Sequence, residues 1–146
     1  MSKPSAEKAR LSIAGEYGVA SELCKRGYDA SLTFGNAKAV DIIITDLNNC
    51  NLYKTIEVKT TRSNRFVTGF FQKYGDQNTK HPDYWVLVHI DKDNISHYYI
   101  LTHQEMGLVQ MQRNGMTAWG PIANGCDNVL LSHIQQYEDQ WEKIAL

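Results

Sequence analysis

The chain has 146 residues, 42% of them hydrophobic, and a net charge of −1 at neutral pH, enough apolar material for a real core in a single domain spanning 1–146. No apolar run approaches the roughly 18 residues of a membrane span, and residues 1–8 hold no signal-peptide core, so a cytoplasmic protein with no membrane partner is expected. Three cysteines, Cys24, Cys50 and Cys126, without a Cys-x-x-Cys spacing argue against a disulfide framework and a zinc knuckle. The charge is unevenly spread. Residues 1–53 are neutral overall, residues 54–80 carry six basic side chains against Glu57 and Asp76 (net +4), and residues 81–146 carry three against eight (net −5). A polyanion would therefore approach the middle of the chain.

Ser5 to Arg26 predicts a helix, with Ser5 as N-cap and Gly27 as its stop. Leu11, Ala14, Val19, Ala20 and Leu23 form its apolar stripe. Glu16 precedes Val19, Ala20 and Leu23 at helical spacing, which puts a carboxylate on or beside that stripe. Gly15 and Gly18 each weaken a helix by roughly 1 kcal/mol relative to alanine, so their presence implies a close approach to another element. Tyr28 to Phe34 reads as a first strand, Gly35-Asn36-Ala37 as a turn, and Val40 to Ile44 as a second strand. Turn-forming residues from Asp46 to Asn51 then lead to a third, Thr55 to Lys59.

Two adjacent antiparallel strands follow from this spacing. Side chains alternate along a strand, so Glu57 and Lys59 share one face while Ile56 and Val58 share the other, and Asp41 can lie across from both charged groups. A lone carboxylate in the isoleucine-rich run Val40–Ile44 would cost several kcal/mol unless paired or metal-bound. Hard divalent cations take oxygen ligands, one or two carboxylates plus substrate phosphates. A nearby lysine can orient water or neutralise charge on a phosphate.

Thr60 to Arg65 is a polar, basic loop suited to phosphate contacts through Arg62 and Arg65. Phe66 to Tyr74 stays ambiguous between strand and helix, and its four aromatics read as core. His81-Pro82-Asp83 leads into a strong buried strand, Tyr84 to Ile90; Asp91-Lys92-Asp93-Asn94 makes a turn and Ser96 to Leu101 a further strand. Thr102 caps a short helix beginning near His103, with Glu105 completing a capping box. The five histidines match no ligand spacing. Gln110 to Cys126 reads as a loop with a short strand, and Ser132 to Ile144 as a closing helix with Ile134, Tyr137, Trp141 and Ile144 at helical spacing.

Asp41 followed by Glu57-Val58-Lys59 resembles the signature of the PD-(D/E)XK nuclease superfamily, which includes restriction endonucleases and Holliday junction resolvases. Gly15-Glu16 is similar to the first-helix Gly-Glu element of such nucleases, and Phe34-Gly35-Asn36 resembles resolvase-like members; Val40 stands where the superfamily name has a proline. The resemblance implies an α/β fold with a restriction-endonuclease-like core, a mixed sheet flanked by helices in αβββαβ order. It also implies a Mg2+- or Mn2+-dependent endonuclease acting on duplex or branched DNA. In that reading Asp41 and Glu57 hold the metal, Lys59 positions the attacking water or stabilises developing charge, and Glu16 serves a second metal or a water ligand. Gln72 and Lys73 lie where some members carry an accessory polar residue. Lys73 joins Arg62 and Arg65 as a candidate for DNA contact, and cutting two strands implies a homodimer. Two alternatives stay open: a nuclease-like domain that binds nucleic acid or a protein without cutting, and a structural ion-pair network in an unrelated α/β domain.

Overall fold

The computed structural model describes residues 2–33, 40–46 and 48–146, the side chains of residues 2–4 and of Cys50 excepted. The expected turn Gly35-Asn36-Ala37, with Phe34 before it, lies outside the described residues. A long helix, α1 (Ser2–Lys25), opens the chain. It starts earlier than Ser5 because Pro4 falls in its first turn, where a missing N–H leaves nothing unsatisfied. It stops as expected. Gly27 adopts φ +92°, and the N–H groups of Gly27 and Tyr28 return to the carbonyls of Cys24 and Leu23, closing the helix with a Schellman motif.

Five strands form the main sheet in the order β1 (Asp29–Leu32), β2 (Ile42–Asp46), β3 (Asn49–Thr61), β5 (Tyr84–Ile90) and β6 (Ser96–Thr102). The β3–β5 pair is parallel and the other three pairs are antiparallel, so the sheet is mixed. Joining β3 to β5 needs a crossover, supplied by a short strand β4 (Arg65–Val67) and a one-turn helix α2 (Phe70–Tyr74). This resolves the ambiguous stretch: Gly69, at φ +56°, divides a strand from a helix. After β6 comes α3 (His103–Asn114), capped by the expected Thr102–Glu105 box, and then β7 (Asn128–Leu130), which pairs with β4 in a separate ribbon.

The period-two alternation of β5 sorts the core into two layers. Val86, Val88 and Ile90 pack with Ile56, Val58 and the α1 residues Val19 and Leu23, whereas Trp85 and Leu87 pack with Phe66, Phe70, Phe71, Tyr74, Met106 and Val109. The four aromatics of 66–74 are thus core. On α1, Ala14 is exposed and Gly15 takes its place in the buried stripe. A Cβ on Gly15 would lie 1.8 Å from Thr60 Oγ1, and one on Gly18 would lie 2.6 Å from the Tyr98 hydroxyl. Both glycines exist for close approach of α1 to the sheet.

Several expectations are corrected: β3 begins at Asn49, inside the stretch expected as a turn, and among the described residues no strand lies within 115–126. Residues 110–114 continue α3 rather than opening a loop. Gln110 is fully buried and its amide donates to the carbonyls of Cys126 and Asn128, so a polar residue faces inward as the peg for the following loop. The closing segment is not one helix but three short 3-10 turns, Leu131–His133, Gln135–Tyr137 and Trp141–Lys143. Ile134 packs in the layer of α2 and α3, while Trp141 and Ile144 pack in the layer of α1. A straight helix cannot send residues to opposite faces of a sheet. Instead the chain crosses the β6 edge, where Glu138 bridges Tyr99 and Asp139 N–H bonds the Tyr98 carbonyl at 2.8 Å with Asp139 at φ +55°. That crossing also covers an edge that would otherwise invite pairing with another chain.

Candidate active site

Strand β3 changes partners at Ile56. Its first half pairs with β2 and its second half, Ile56 to Thr61, pairs with β5. The β2 ladder stops at Ile42, opposite Ile56, with one more backbone bond from Asp41 N–H to the Ile56 carbonyl at 3.2 Å. Past that point β2 leaves, and the next N–H of β3 on that side belongs to Val58. The Asp41 side chain takes over: its Oδ2 accepts the Val58 N–H at 2.8 Å. A carboxylate therefore replaces the missing carbonyl where the two strands part. Asp41 is 7% exposed, and the ladder brings it beside Glu57.

Lys59 Nζ lies 3.5 Å from Glu57 Oε1. Burial, and then the charge of Asp41, push the Glu57 carboxyl above the usual range, against the pull of Lys59 and Lys73. The Tyr74 hydroxyl is raised by burial and by the same two carboxylates, which puts α2 against the site. This is a buried like-charged pair, an arrangement that gains from a cation.

These groups open into a cleft of about 640 Å³ lined by Asp41, Glu57, Lys59 and, from α1, Glu16. All four expected site residues thus line one cavity. Of the expected nucleic-acid contacts, Arg65 on β4 lines it as well, and Lys73 is near enough to favour the ionised form of Glu57. Arg62 is elsewhere. Its guanidinium donates to the Asp91 carbonyl at 3.3 Å and to Asn94 Oδ1 at 2.9 Å, at the tip of the β5–β6 hairpin, and it lines a neighbouring groove.

Sequence reasoning missed Lys8 and Ser12, which line the cleft with Glu16. The signal was present: residues 8, 12 and 16 follow helical i, i+4, i+8 spacing and share one face of α1. It also missed the β4 residues Phe66 and Val67 at the cleft wall, because a three-residue strand paired with residues 128–130 leaves no local pattern to read.

Among the described residues no group of three or more His, Cys, Asp or Glu side chains is gathered closely enough to hold a metal ion. The donors that Asp41 and Glu57 offer are hard carboxylate oxygens, the chemistry that magnesium or manganese takes from one or two side chains together with substrate phosphates. The histidines sit in other settings. His81 stacks on His103 with ring centroids 3.7 Å apart, and His97 bonds Asp91 at 2.9 Å. No helix among the described residues is long and apolar enough to cross a membrane. Comparison with protein-family models, curated proteins and solved structures gives no match to this chain.

Proposed function

We propose that this chain is a Mg2+- or Mn2+-dependent endonuclease of the PD-(D/E)XK type, hydrolysing DNA phosphodiester bonds in the cleft between α1 and the parting strands β2 and β3. The observation that carries the reading is the meeting of Asp41, just before β2, with Glu57 of β3 in one cleft, with Lys59 3.5 Å from Glu57 and Glu16 lining the same cleft. The element order supports it too: helix, three strands, a crossover with a helix, then a strand parallel to the third resembles the nuclease core, with β4 as an added strand.

Asp41 and Glu57 would hold the ion, and Glu16, which lines the same cleft, would serve a second ion or a water ligand. When bound, the ion supplies Lewis-acid stabilisation of charge building on the phosphoryl oxygens. The chain's own residues do the rest. The Val58 N–H fixes the orientation of the Asp41 carboxylate, so its position is set before substrate arrives. The Lys59 ammonium orients the attacking water and balances charge developing on the phosphate. Arg65, which lines the cleft, and Lys73, close enough to act on Glu57, would hold neighbouring phosphates as positive charges. Two copies of the chain would supply the two sites needed to cut both strands of a duplex or a junction. A sedimentation mass of one chain with DNA bound would contradict that dimer.

The test is cleavage of supercoiled plasmid and of a four-way junction with Mg2+, with Mn2+ and with EDTA. Cleavage that needs the metal and disappears in Lys59→Ala and Glu57→Gln, with melting temperatures kept, supports the reading. A second reading, a nuclease-like domain that binds without cutting, is favoured by the net charge of −5 on residues 81–146, which opposes the tight grip a cutter needs on DNA. It expects DNA binding with no cleavage under any metal. A structural ion-pair network expects the same variants to melt lower and metal to change nothing.

A further inference from the structure

Beside the cleft lies a second groove of about 790 Å³, lined by Lys8, Arg10 and Arg62, by the apolar Leu11 and Ile90, and by Glu7. Lys8 and Leu11 line both cavities, so the two lie side by side along the N-terminal half of α1. The cleft balances its charge, with Lys8, Lys59 and Arg65 against Glu16, Asp41 and Glu57. The groove does not: three cations face one carboxylate.

Arg62 is built into this groove rather than left to wander. Both of its hydrogen bonds go to neutral oxygens, the Asp91 carbonyl and Asn94 Oδ1, and Asn94 sits at φ +61° in the hairpin turn. The Asp91 carboxylate is occupied elsewhere, accepting from the N–H groups of Asp93 and Ile95 and bonding His97. The turn therefore holds the guanidinium without neutralising it, and three of its five N–H donors stay available for an anion.

We infer that this groove binds the sugar-phosphate backbone of a nucleic-acid strand running out of the cleft, with Lys8, Arg10 and Arg62 on successive phosphates. The inference rests on reading the cleft as a nucleic-acid site. Lys8 stands eight residues before Glu16, about 12 Å along the axis at ~1.5 Å per residue. That span covers three or four nucleotides of B-form DNA at the ~3.4 Å rise of one strand. An open, cationic groove adjoining the proposed phosphodiester site fits a polymer of regularly spaced monoanions, and arginine forks fit its phosphates.

The test is anisotropy of a labelled duplex bound by the full chain in EDTA, so that binding is read without cleavage, over a salt series. The proteins compared are wild type, Arg10→Ala, Arg62→Ala, the double variant and Lys80→Ala, an exposed lysine that lines neither cavity. Arg10 is an exposed helix position whose loss leaves the fold intact, which keeps the test valid if Arg62→Ala loosens the hairpin; melting temperatures check this. Each arginine removed should lower the slope of log affinity against log salt by roughly 0.9. At low salt the double variant should bind about tenfold or more weakly, and Lys80→Ala as wild type. That result supports the groove even if Mg2+ produces no cleavage, in which case the nuclease reading alone fails. Unchanged affinity and slope in both single variants would overturn the groove even if wild type cuts. So would an equal loss in Lys80→Ala, or no affinity of wild type for DNA.

Discussion

The two halves of β3 satisfy their backbone differently. From Asn49 to Ile56 the strand is held by β2 through regular antiparallel pairing, with one irregularity between Thr45 and Asp46. From Glu57 to Thr61 it pairs with the parallel strand β5, and on the other side the Asp41 side chain accepts the Val58 N–H. The first half carries structure alone. The second carries Glu57 and Lys59, faces a cleft, and buys its exposed geometry with a buried carboxylate. Regular pairing stabilises a strand but leaves no room for a substrate, so the proposed chemistry sits where the β2 pairing ends.

Asp41→Asn breaks the second half most sharply. An amide oxygen still accepts from Val58 while the charge is gone, so cleavage is expected to fall by at least about 100-fold, the scale on which single electrostatic groups at a reacting centre act, with little change in melting temperature. Asp41→Ala adds the loss of a buried acceptor, and chemical denaturation should show a further cost of about 1–3 kcal/mol. In the first half and its core layer the order reverses: Ile56→Ala, fully buried, should cost about 2–5 kcal/mol and lower activity only as far as folding is lost.

Between these lies Gly15→Ala, which forces a methyl against Thr60 Oγ1 next to Glu16. About 1–3 kcal/mol of destabilisation is expected from overpacking, measured by urea unfolding, together with reduced activity as Glu16 is displaced. Thr102→Ala, far from the cleft, removes the capping box; it should cost about 1 kcal/mol with cleavage by the folded fraction unchanged.

The smallest effects are in pH dependence, where two histidines oppose each other. His97 is raised from its ordinary 6.5 chiefly by its bond to Asp91, with Glu138 adding to it. Its folded form therefore binds the proton more tightly than its unfolded form, giving stability that is full below pH 6.5 and lost as pH rises through the folded pKa. His103 is pushed down to about 4, first by burial and then by His81, against Asp83. Its neutral ring accepts the Trp85 indole N–H at 3.1 Å, and the stability it gives is present above pH 6.5 and lost as pH falls from 6.5 towards 4. Melting temperatures from pH 4 to 8.5 should flatten on the alkaline side in His97→Gln and on the acid side in His103→Gln.

The sequence revealed regular elements best where period and punctuation agreed. Tyr84–Ile90 alternates into both core layers and sits between turns, so its bounds were legible to the residue; the Thr102–Glu105 box and the Gly27 stop each rest on local chemistry. Asp41 stood out because a lone carboxylate in a β-branched run is costly unless paired; Glu57 and Lys59 stood out only through the resemblance of Glu-x-Lys to a nuclease motif. The closing segment was not. Its apolar residues keep helical spacing, yet they serve two different faces of the sheet, and only the tertiary path of the chain decides that. Gln110 misled for the opposite reason: a buried amide satisfied by carbonyls 16 and 18 residues away looks, in sequence, like a loop residue. Lys8 and Arg62 were visible as charges, but the groove they share depends on how the fold brings α1 beside the end of β3.

The most direct test is calorimetric titration of Mg2+, and then Mn2+, into the chain with DNA present, beside Asp41→Asn and Glu57→Gln. A cation-binding pair of carboxylates is expected to give a binding heat in wild type that is lost in both variants while their melting temperatures stay put. A wild type that binds neither ion even with DNA, or variants that bind as well as wild type, would contradict the assignment of Asp41 and Glu57 as the metal-holding core of a nuclease site.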